Sequence, residues 1–286
     1  LHDALNAFEK ARNLFRKLGN TNKVSALLND MANINSNLGN VEKCLSLYNE
    51  GLKITEEIND LPNKSLILFN MGTIYLSQED FKKASEIFNK AMEITKKTDI
   101  PRYKAHIFMG LGDIDKKKGN LNKSLKKFSE SLKIFEKVAD SDGVFLALEN
   151  IGEIYLKMGQ FESAEKNYAK AENIANELNG IKYKAKNLMN YGELFRYKKE
   201  FNEALKKYES AIKTFEDIEM PEDLAYCYEK RGEVFLKLKK KAEYLESVVK
   251  AHEIYVIIHL EKKALKIREK LKKVDKKFYK QQFPNY

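Results

Sequence analysis

The chain of 286 residues contains no tryptophan, four prolines and two cysteines. Two cysteines give no disulfide framework, so we expect a reducing, cytoplasmic setting and interpret Cys44 as a packing residue. No apolar run approaches the roughly 20 residues that a bilayer-spanning helix needs. No secretory signal pattern is present either. These absences argue against secreted, disulfide-stabilised and membrane-spanning proteins.

Groups that carry catalysis or bind metals are also scarce. The four histidines show no metal-ligand spacing, and they are His2, His106, His252 and His259. The sequence Gly110-Leu111-Gly112 is a lone Gly-x-Gly in a helical pattern, so it predicts no dinucleotide loop. We therefore predict a non-enzymatic protein with no catalytic residues, no metal, no cofactor and no small-molecule substrate.

Positive charge is concentrated at one end of the chain. The formal net charge is +10, and residues 237–286 hold 15 Lys+Arg against 6 Asp+Glu. Attraction to nucleic acid or anionic lipid would therefore come from the C-terminal part. We do not expect nucleic acid or a membrane to be the main partner.

The most informative feature is a repeat of 40 residues. Glycine recurs in one column, at Gly72, Gly112, Gly152, Gly192 and Gly232, with Ala32 in the first copy. Sixteen residues later an aromatic recurs, at Tyr48, Phe88, Phe128, Tyr168 and Tyr208. Small residues recur twelve and nineteen residues after the glycine. Steps of three and four indicate helices, and small residues alternating with rings predict two closely crossing helices.

The segment Leu148–Tyr155, followed by Gly159–Ala164, Tyr168 and Ala171, resembles the tetratricopeptide repeat. The unit is the longer variant, similar to those of kinesin light chains, the Leu-Gly-Asn repeat polarity adaptors and the bacterial quorum-peptide regulators. The resemblance covers residues 1 to about 259. It implies an all-α fold, a right-handed superhelical α-solenoid of antiparallel helix pairs.

The repeat predicts three parts. Residues 1–20 are expected to be the second helix of a truncated repeat, and because Leu1 lies inside a helical pattern we expect a segment upstream. Residues 21–259 should form six helix pairs, with turns such as Gly39-Asn40 and Gly119-Asn120 joining the helices. The last pair is degenerate, because Lys239-Lys240-Lys241 replaces the turn and Tyr244 stands in a small-residue column.

Residues 260–286 are expected to form a basic amphipathic helix and tail. An apolar stripe runs along one helix, through Leu260, Ala264, Ile267, Leu271, Val274 and Phe278. Three interpretations stay open: a capping helix that covers the last pair, a coiled-coil seam that dimerises the protein, or a basic helix for lipid or nucleic acid. The chain is accordingly expected to be a monomer or a dimer through this helix.

By resemblance, the first helices of the pairs line a concave surface, through positions two before and one after the repeat glycine. The resemblance assigns ligand-backbone binding to Asn70, Asn150 and Asn190. The alternative is that these amides bond neighbouring helices.

An acidic row on the same surface would favour a basic partner and contains Asp113, Glu153 and Glu193; the alternative is a solvated polar face. Leu76 and Leu156 are expected to form apolar sub-pockets, or else to pack between repeats.

These observations predict a protein–protein interaction scaffold that binds an extended or helical, basic peptide segment in its groove. Two alternatives remain. One is a regulator that binds a signalling peptide. The other is a protein that binds nucleic acid or a membrane surface through its basic C-terminal helix.

Overall fold

A computed structural model describes residues 2–98 and 100–283. These residues form fifteen α-helices and no strand. The helices are α1 His2–Lys17, α2 Thr21–Asn37, α3 Val41–Glu57, α4 Leu61–Ser77, α5 Phe81–Lys97, α6 Pro101–Lys117, α7 Leu121–Lys137, α8 Ser141–Lys157, α9 Phe161–Glu177, α10 Ile181–Lys198, α11 Phe201–Asp217, α12 Pro221–Lys237, α13 Lys241–Ile257, α14 Glu261–Val274 and α15 Lys276–Gln282.

From α2 to α14 successive helices begin 20 residues apart, so two helices and two turns make the 40-residue repeat. The prolines agree with this phase: Pro101 and Pro221 are the first residues of α6 and α12, and Pro62 is the second residue of α4. Proline is tolerated there because the first N–H groups of a helix have no partner within it.

Twelve of the turns share one backbone geometry. In each of them one residue adopts positive φ, and these residues are Gly19, Gly39, Asn59, Glu79, Gly119, Ala139, Gly159, Asn179, Lys199, Glu219, Lys239 and His259. Lys239, in the Lys239-Lys240-Lys241 segment of the sixth pair, takes the same conformation, with φ of 61°.

The residues that follow the left-handed position were expected to cap the next helix. Asp80 does so, because its carboxylate accepts from the backbone N–H of Lys83 at 3.0 Å. Asn40 and Asn120 make no such bond. The Asn120 amide instead donates to Asp115 at 3.4 Å.

The chain divides into two compact units, Leu1–Ala147 and Leu148–Tyr286, with the boundary inside α8. The first unit has one apolar cluster around Leu28, Tyr48 and Ile67 and another around Phe88 and Ile107. In the second unit the largest apolar cluster runs from α10 to α15. Both cysteines are fully buried, as expected for packing residues.

The repeat glycines lie directly against the aromatic rings. A β-carbon at Gly72 would lie 2.5 Å from Cε1 of Phe88, and one at Gly192 would lie 2.7 Å from Cε1 of Tyr208. The rings of this column are buried in all five copies. The predicted close crossing of two helices with a ring beside it is thus confirmed.

The sixth pair has other residues at this crossing. Val248 stands in the ring column and contacts the Gly232 position, at 2.9 Å from a β-carbon built there. Tyr244, in the small-residue column, is 2% exposed, and its backbone oxygen lies 3.5 Å from the same β-carbon. The pair is degenerate in sequence but keeps regular helices α12 and α13.

The C-terminal stripe does not lie on one continuous helix. The chain leaves helical geometry at Asp275, with φ −147° and ψ 93°, and the Asp275 side chain caps α15 by accepting from the N–H of Phe278 at 2.9 Å. Ala264, Ile267 and Leu271 are buried in the core of the second unit. This part of the stripe therefore packs inside its own unit.

We expect Gly112→Ala to destabilise the first unit by about 1–2 kcal/mol. The new β-carbon would lie 2.7 Å from Cε1 of Phe128, which is fully buried, and overpacking typically costs about 1–3 kcal/mol. Helix propensity alone would make the alanine variant more stable by about 1 kcal/mol. A lower free energy of unfolding, measured with urea, would therefore come from the steric contact.

The exposed Lys117→Ala on the same helix is the matched control and should change stability by less than about 0.5 kcal/mol. Combining Gly112→Ala with Phe128→Leu should cost less than the sum of the two single variants. Strict additivity would show that the ring does not limit this position.

Ala139→Gly should stabilise the first unit by about 0.5–1 kcal/mol. Ala139 is exposed with φ of 52°, a conformation that glycine adopts without steric cost. Gly39→Ala is the reverse change at φ of 76° with open space around it, and should destabilise by a similar amount. The midpoints of urea unfolding measure the stability of both variants. If both substitutions stabilise the protein, or both destabilise it, the argument is contradicted.

Candidate functional site

The second unit contains a groove of about 660 Å³. It is lined by the first helices of successive pairs, α8, α10 and α12, together with α14. Five of the predicted site residues line it: Asn150, Glu153, Leu156, Asn190 and Glu193. They come together because positions three apart share a helix face, and the 40-residue period repeats that face. Asn70, Leu76 and Asp113 belong to the first unit.

Two of the three asparagines bond the neighbouring first helix. The Asn190 side-chain amide donates to Oε1 of Glu149 at 2.7 Å, 41 residues earlier. In the first unit, the Asn70 amide donates to Oδ1 of Asn29 at 2.8 Å, again across 41 residues. This is the alternative that the sequence left open, and the structure shows it for Asn70 and Asn190.

The same spacing holds α14 in place. Lys270 donates to Glu229 at 2.7 Å, and Lys263 donates to Glu222 at 2.8 Å, each across 41 residues. We call these 41-residue contacts between first helices rungs. They place α14 beside α12 as a first helix of a further pair would lie.

The predicted acidic row is interleaved with cations. Arg196 lies 2.5 Å from Glu193, and Lys157 lies 3.0 Å from Glu153. In the first unit, Lys116 lies 3.1 Å from Asp113. These cations stand three or four residues after each carboxylate, so they share its helix face. The row is therefore a set of ion pairs and not an uninterrupted acidic strip.

Glu193 also has a partner from the second helix of its own pair. The hydroxyl of Tyr208, the ring that packs on Gly192, donates to Oε1 of Glu193 at 2.5 Å. Burial and this carboxylate raise the pKa of Tyr208 well above its ordinary value. The ring column thus fixes both the helix crossing and one groove carboxylate.

Three carboxylates lie close together in the groove, and two of them, Glu149 and Asp223, share Lys186. Burial raises the pKa of Glu149 to about 7, against the lowering effects of Lys186 and the Asn190 amide, while Asp223 and Glu153 raise it further. Burial also raises the pKa of Asp223, although Lys186 lies 3.7 Å away. In this carboxylate cluster, Glu149–Glu153–Asp223, Glu153 has its own partner in Lys157, and the excess of potential negative charge lies at Glu149 and Asp223.

The apolar side chains of the groove differ in exposure. Leu156 is 2% exposed and packs in a core cluster with Ala164, Tyr168 and Leu194. Tyr197 is 37% exposed, and the Arg196 guanidinium lies 4.7 Å from its ring centroid. Met189 and Tyr226 also line the groove. Leu76 is half-buried beside a core cluster of the first unit.

Sequence reasoning missed several groove residues: Glu149, Lys186, Arg196, Tyr197 and Asp223. The signal for Glu149 was available, because Asn29, Glu149 and Glu229 share the column that supplies the rung acceptors. Arg196 could have been found by examining the position four after the repeat glycine. Asp223 and Lys186 occupy no recurring column.

Within residues 2–98 and 100–283, no three His, Cys, Asp or Glu side chains are grouped so that they could hold a metal ion. In the same residues, no helix has the length and apolar character needed to cross a membrane.

Several solved structures share the fold. The apo form of RapI has 17% identity and a TM-score of 0.71, with 94% of this chain and 92% of that chain covered. The Rap conjugation gene regulator of plasmid pLS20, in complex with the Phr* peptide, has 17% identity and a TM-score of 0.74, with 92% and 71% covered. Aspartyl phosphate phosphatase F from Bacillus subtilis has 13% identity and a TM-score of 0.74, with 88% and 64% covered.

At these identities the likeness shows the fold, an all-α solenoid of helix pairs. No curated protein matches the sequence. A family model described as tetratricopeptide repeat matches residues 23–97 and 103–177, which together are more than half of the chain. The chain therefore belongs to the tetratricopeptide repeat family.

Proposed function

We propose that the chain is a non-enzymatic interaction scaffold that binds an extended, basic peptide segment in the groove of its second unit. The observation that carries the proposal is the groove of about 660 Å³, lined by Asn150, Asn190, Glu153 and Glu193 on successive first helices. A groove of this size with a few convergent polar groups is a typical binding site.

The asparagines suit the backbone of an extended ligand. The rung to Glu149 uses one N–H of the Asn190 amide, and no other described residue bonds this side chain. A second N–H and the oxygen therefore remain for a peptide group. Because the rung fixes the side chain, less conformational entropy is lost on binding.

The basic character of the ligand follows from the carboxylate cluster. Glu149 and Asp223 share one lysine, Lys186, while Glu153 pairs with Lys157, so a lysine or arginine from a ligand would compensate the charge left at Glu149 and Asp223. The exposed ring of Tyr197 offers an apolar contact nearby in the same groove. Electrostatic complementarity of this kind contributes specificity and on-rate.

The Rap regulator of plasmid pLS20 was solved in complex with the Phr* peptide, which supports the choice of a peptide as ligand. A regulator that responds to a signalling peptide is accordingly the second candidate. One of the similar structures is named as a phosphatase. That activity belongs to that protein, and we assign this chain no catalytic role.

We further propose that α14 caps the stack of helix pairs by covering the last pair.

The first test is selection of ligands from a random peptide library on the immobilised chain, followed by fluorescence anisotropy with synthesised peptides. The variant Asn150→Ala/Asn190→Ala should weaken binding about 10-fold or more, since each lost hydrogen bond is worth about 0.5–1.5 kcal/mol. The selected peptides should be enriched in lysine or arginine.

The matched control removes two exposed asparagines from second helices, Asn173→Ala/Asn202→Ala, and should bind like the wild type. If the groove variant binds as tightly as the wild type, or if the control loses as much affinity, the asparagines do not bind the ligand. If the selected peptides lack basic residues, the carboxylate cluster does not select the ligand.

A second prediction concerns pH. The raised pKa of Glu149, about 7 in the free chain, means that a ligand ammonium group beside it favours the ionised form. Affinity should therefore rise about 10-fold from pH 6 to pH 8, because binding releases a proton. In the absence of ligand, this group's contribution to folding stability is present below pH 4.5 and is lost as the pH rises through 7.

Anisotropy measured from pH 6 to pH 8 with a capped, histidine-free peptide checks this, since lysine does not titrate in that range. Glu149→Gln keeps an acceptor for Asn190 and should abolish the pH dependence. A wild-type affinity independent of pH, or the same slope in the variant, would exclude Glu149 as the titrating group.

A further inference from the structure

Two lysine-rich segments that are distant in sequence meet at one end of the second unit. The first covers the end of α12 and the following turn, and the second covers the end of α14 and the start of α15. Lys241 Nζ lies 2.8 Å from Oδ2 of Asp275, and this ion pair joins the segments. The eight lysines of this lysine patch are all exposed: Lys237, Lys239, Lys240, Lys241, Lys272, Lys273, Lys276 and Lys277.

The lysine patch has little internal compensation. Asp275 is the one carboxylate within residues 237–241 and 272–277, and it is already paired with Lys241. Glu243, the next carboxylate along the chain, is half-buried. None of the eight lysines lines the groove, so this surface is separate from the proposed peptide site.

The turn itself does not require most of these charges. Lysines at a helix C-terminus compensate its dipole, but the effect is limited to the last turn of each helix. The equivalent turns after α2 and α4 contain no lysine, whereas those after α6 and α10 contain Lys118 and Lys199, and all four have the same backbone geometry. Lysine is therefore optional in this turn, and in the last pair the turn lysines meet a second lysine-rich segment.

We propose that the lysine patch docks the chain on an anionic lipid surface. Lysine clusters of this size attract acidic headgroups, with about 1 kcal/mol, or roughly a fivefold gain in affinity, for each lysine near the surface. Leu236, which is 40% exposed, lies beside Lys237 and can enter the interface.

The composition favours lipid over nucleic acid. Single-stranded nucleic acids are held by exposed aromatic rings and arginine planes. None of the aromatics near the patch is exposed, since Tyr279 and Phe283 are each 8% exposed and Phe235 and Phe278 are half-buried, and the patch contains no arginine. Lysine ammonium groups act as point charges, which suits a fluid surface of headgroups.

The test is co-sedimentation of the full chain with phosphatidylcholine vesicles, with and without phosphatidylserine, at an ionic strength of about 0.1 M. We expect binding only with phosphatidylserine, increasing steeply with its fraction, and loss of binding near 1 M salt. This arm uses the unaltered chain and does not depend on how a variant folds.

A patch variant carries four glutamines, and the expected loss of affinity is at least about 100-fold. Its substitutions are Lys237→Gln, Lys239→Gln, Lys273→Gln and Lys277→Gln. A control variant with the same change of charge on exposed lysines of α7 and α9 should lose less than about threefold. Its substitutions are Lys123→Gln, Lys126→Gln, Lys166→Gln and Lys170→Gln.

Several outcomes would overturn the proposal. They are equal binding to neutral vesicles, an equal loss in the control variant, and no binding at about 0.1 M salt. Binding of an oligonucleotide that depends on the patch, without vesicle binding, would replace the lipid by nucleic acid. Failure of peptide selection on the groove would leave this proposal unaffected, because the two surfaces share no residue.

Discussion

The contact between a repeat glycine and the aromatic ring sixteen residues later sets how closely the two helices of a pair approach. A β-carbon at Gly192 would lie 2.7 Å from Tyr208, so a larger residue there would move the helices apart. Protein interiors are close-packed and do not absorb such a change without cost. The contact recurs every 40 residues, and each first helix is thereby placed at a constant position relative to its second helix. In the sixth pair Val248 occupies the position of the ring against Gly232, so an aliphatic side chain can also fill it.

The groove depends on that placement. First helices at constant spacing bring residues 41 apart within hydrogen-bond distance, and the rungs from Asn190 to Glu149 and from Lys270 to Glu229 result. The ring of Tyr208 reaches from the glycine contact to Glu193. The Tyr208 side chain thus packs on the repeat glycine with its ring and positions Glu193 with its hydroxyl. The polar groups of the groove therefore depend on the same repeated contacts that hold the helix pairs together.

The polar groups of the second unit are distributed unequally between two surfaces. In the groove, carboxylates and cations alternate, and the local excess at Glu149 and Asp223 is partly relieved by raised pKa values. At the lysine patch there is one carboxylate, Asp275, for eight lysines. Burial explains the difference, because half-buried charges must be paired or neutralised, whereas exposed lysines remain solvated. A short-range binding site and a long-range electrostatic surface can therefore coexist in one unit.

The sequence by itself determined the helix boundaries, the pairing and the face that each first helix presents, because a 40-residue period fixes all three locally. It also identified Asn150, Asn190, Glu153 and Glu193 as residues of one surface. Only the tertiary structure decided which partners those side chains have, since rungs join residues of different repeats. The same holds for the break at Asp275 and for the meeting of the two lysine segments. Contacts between distant segments depend on how the helices stack, and the periodic pattern of a single helix does not predict them.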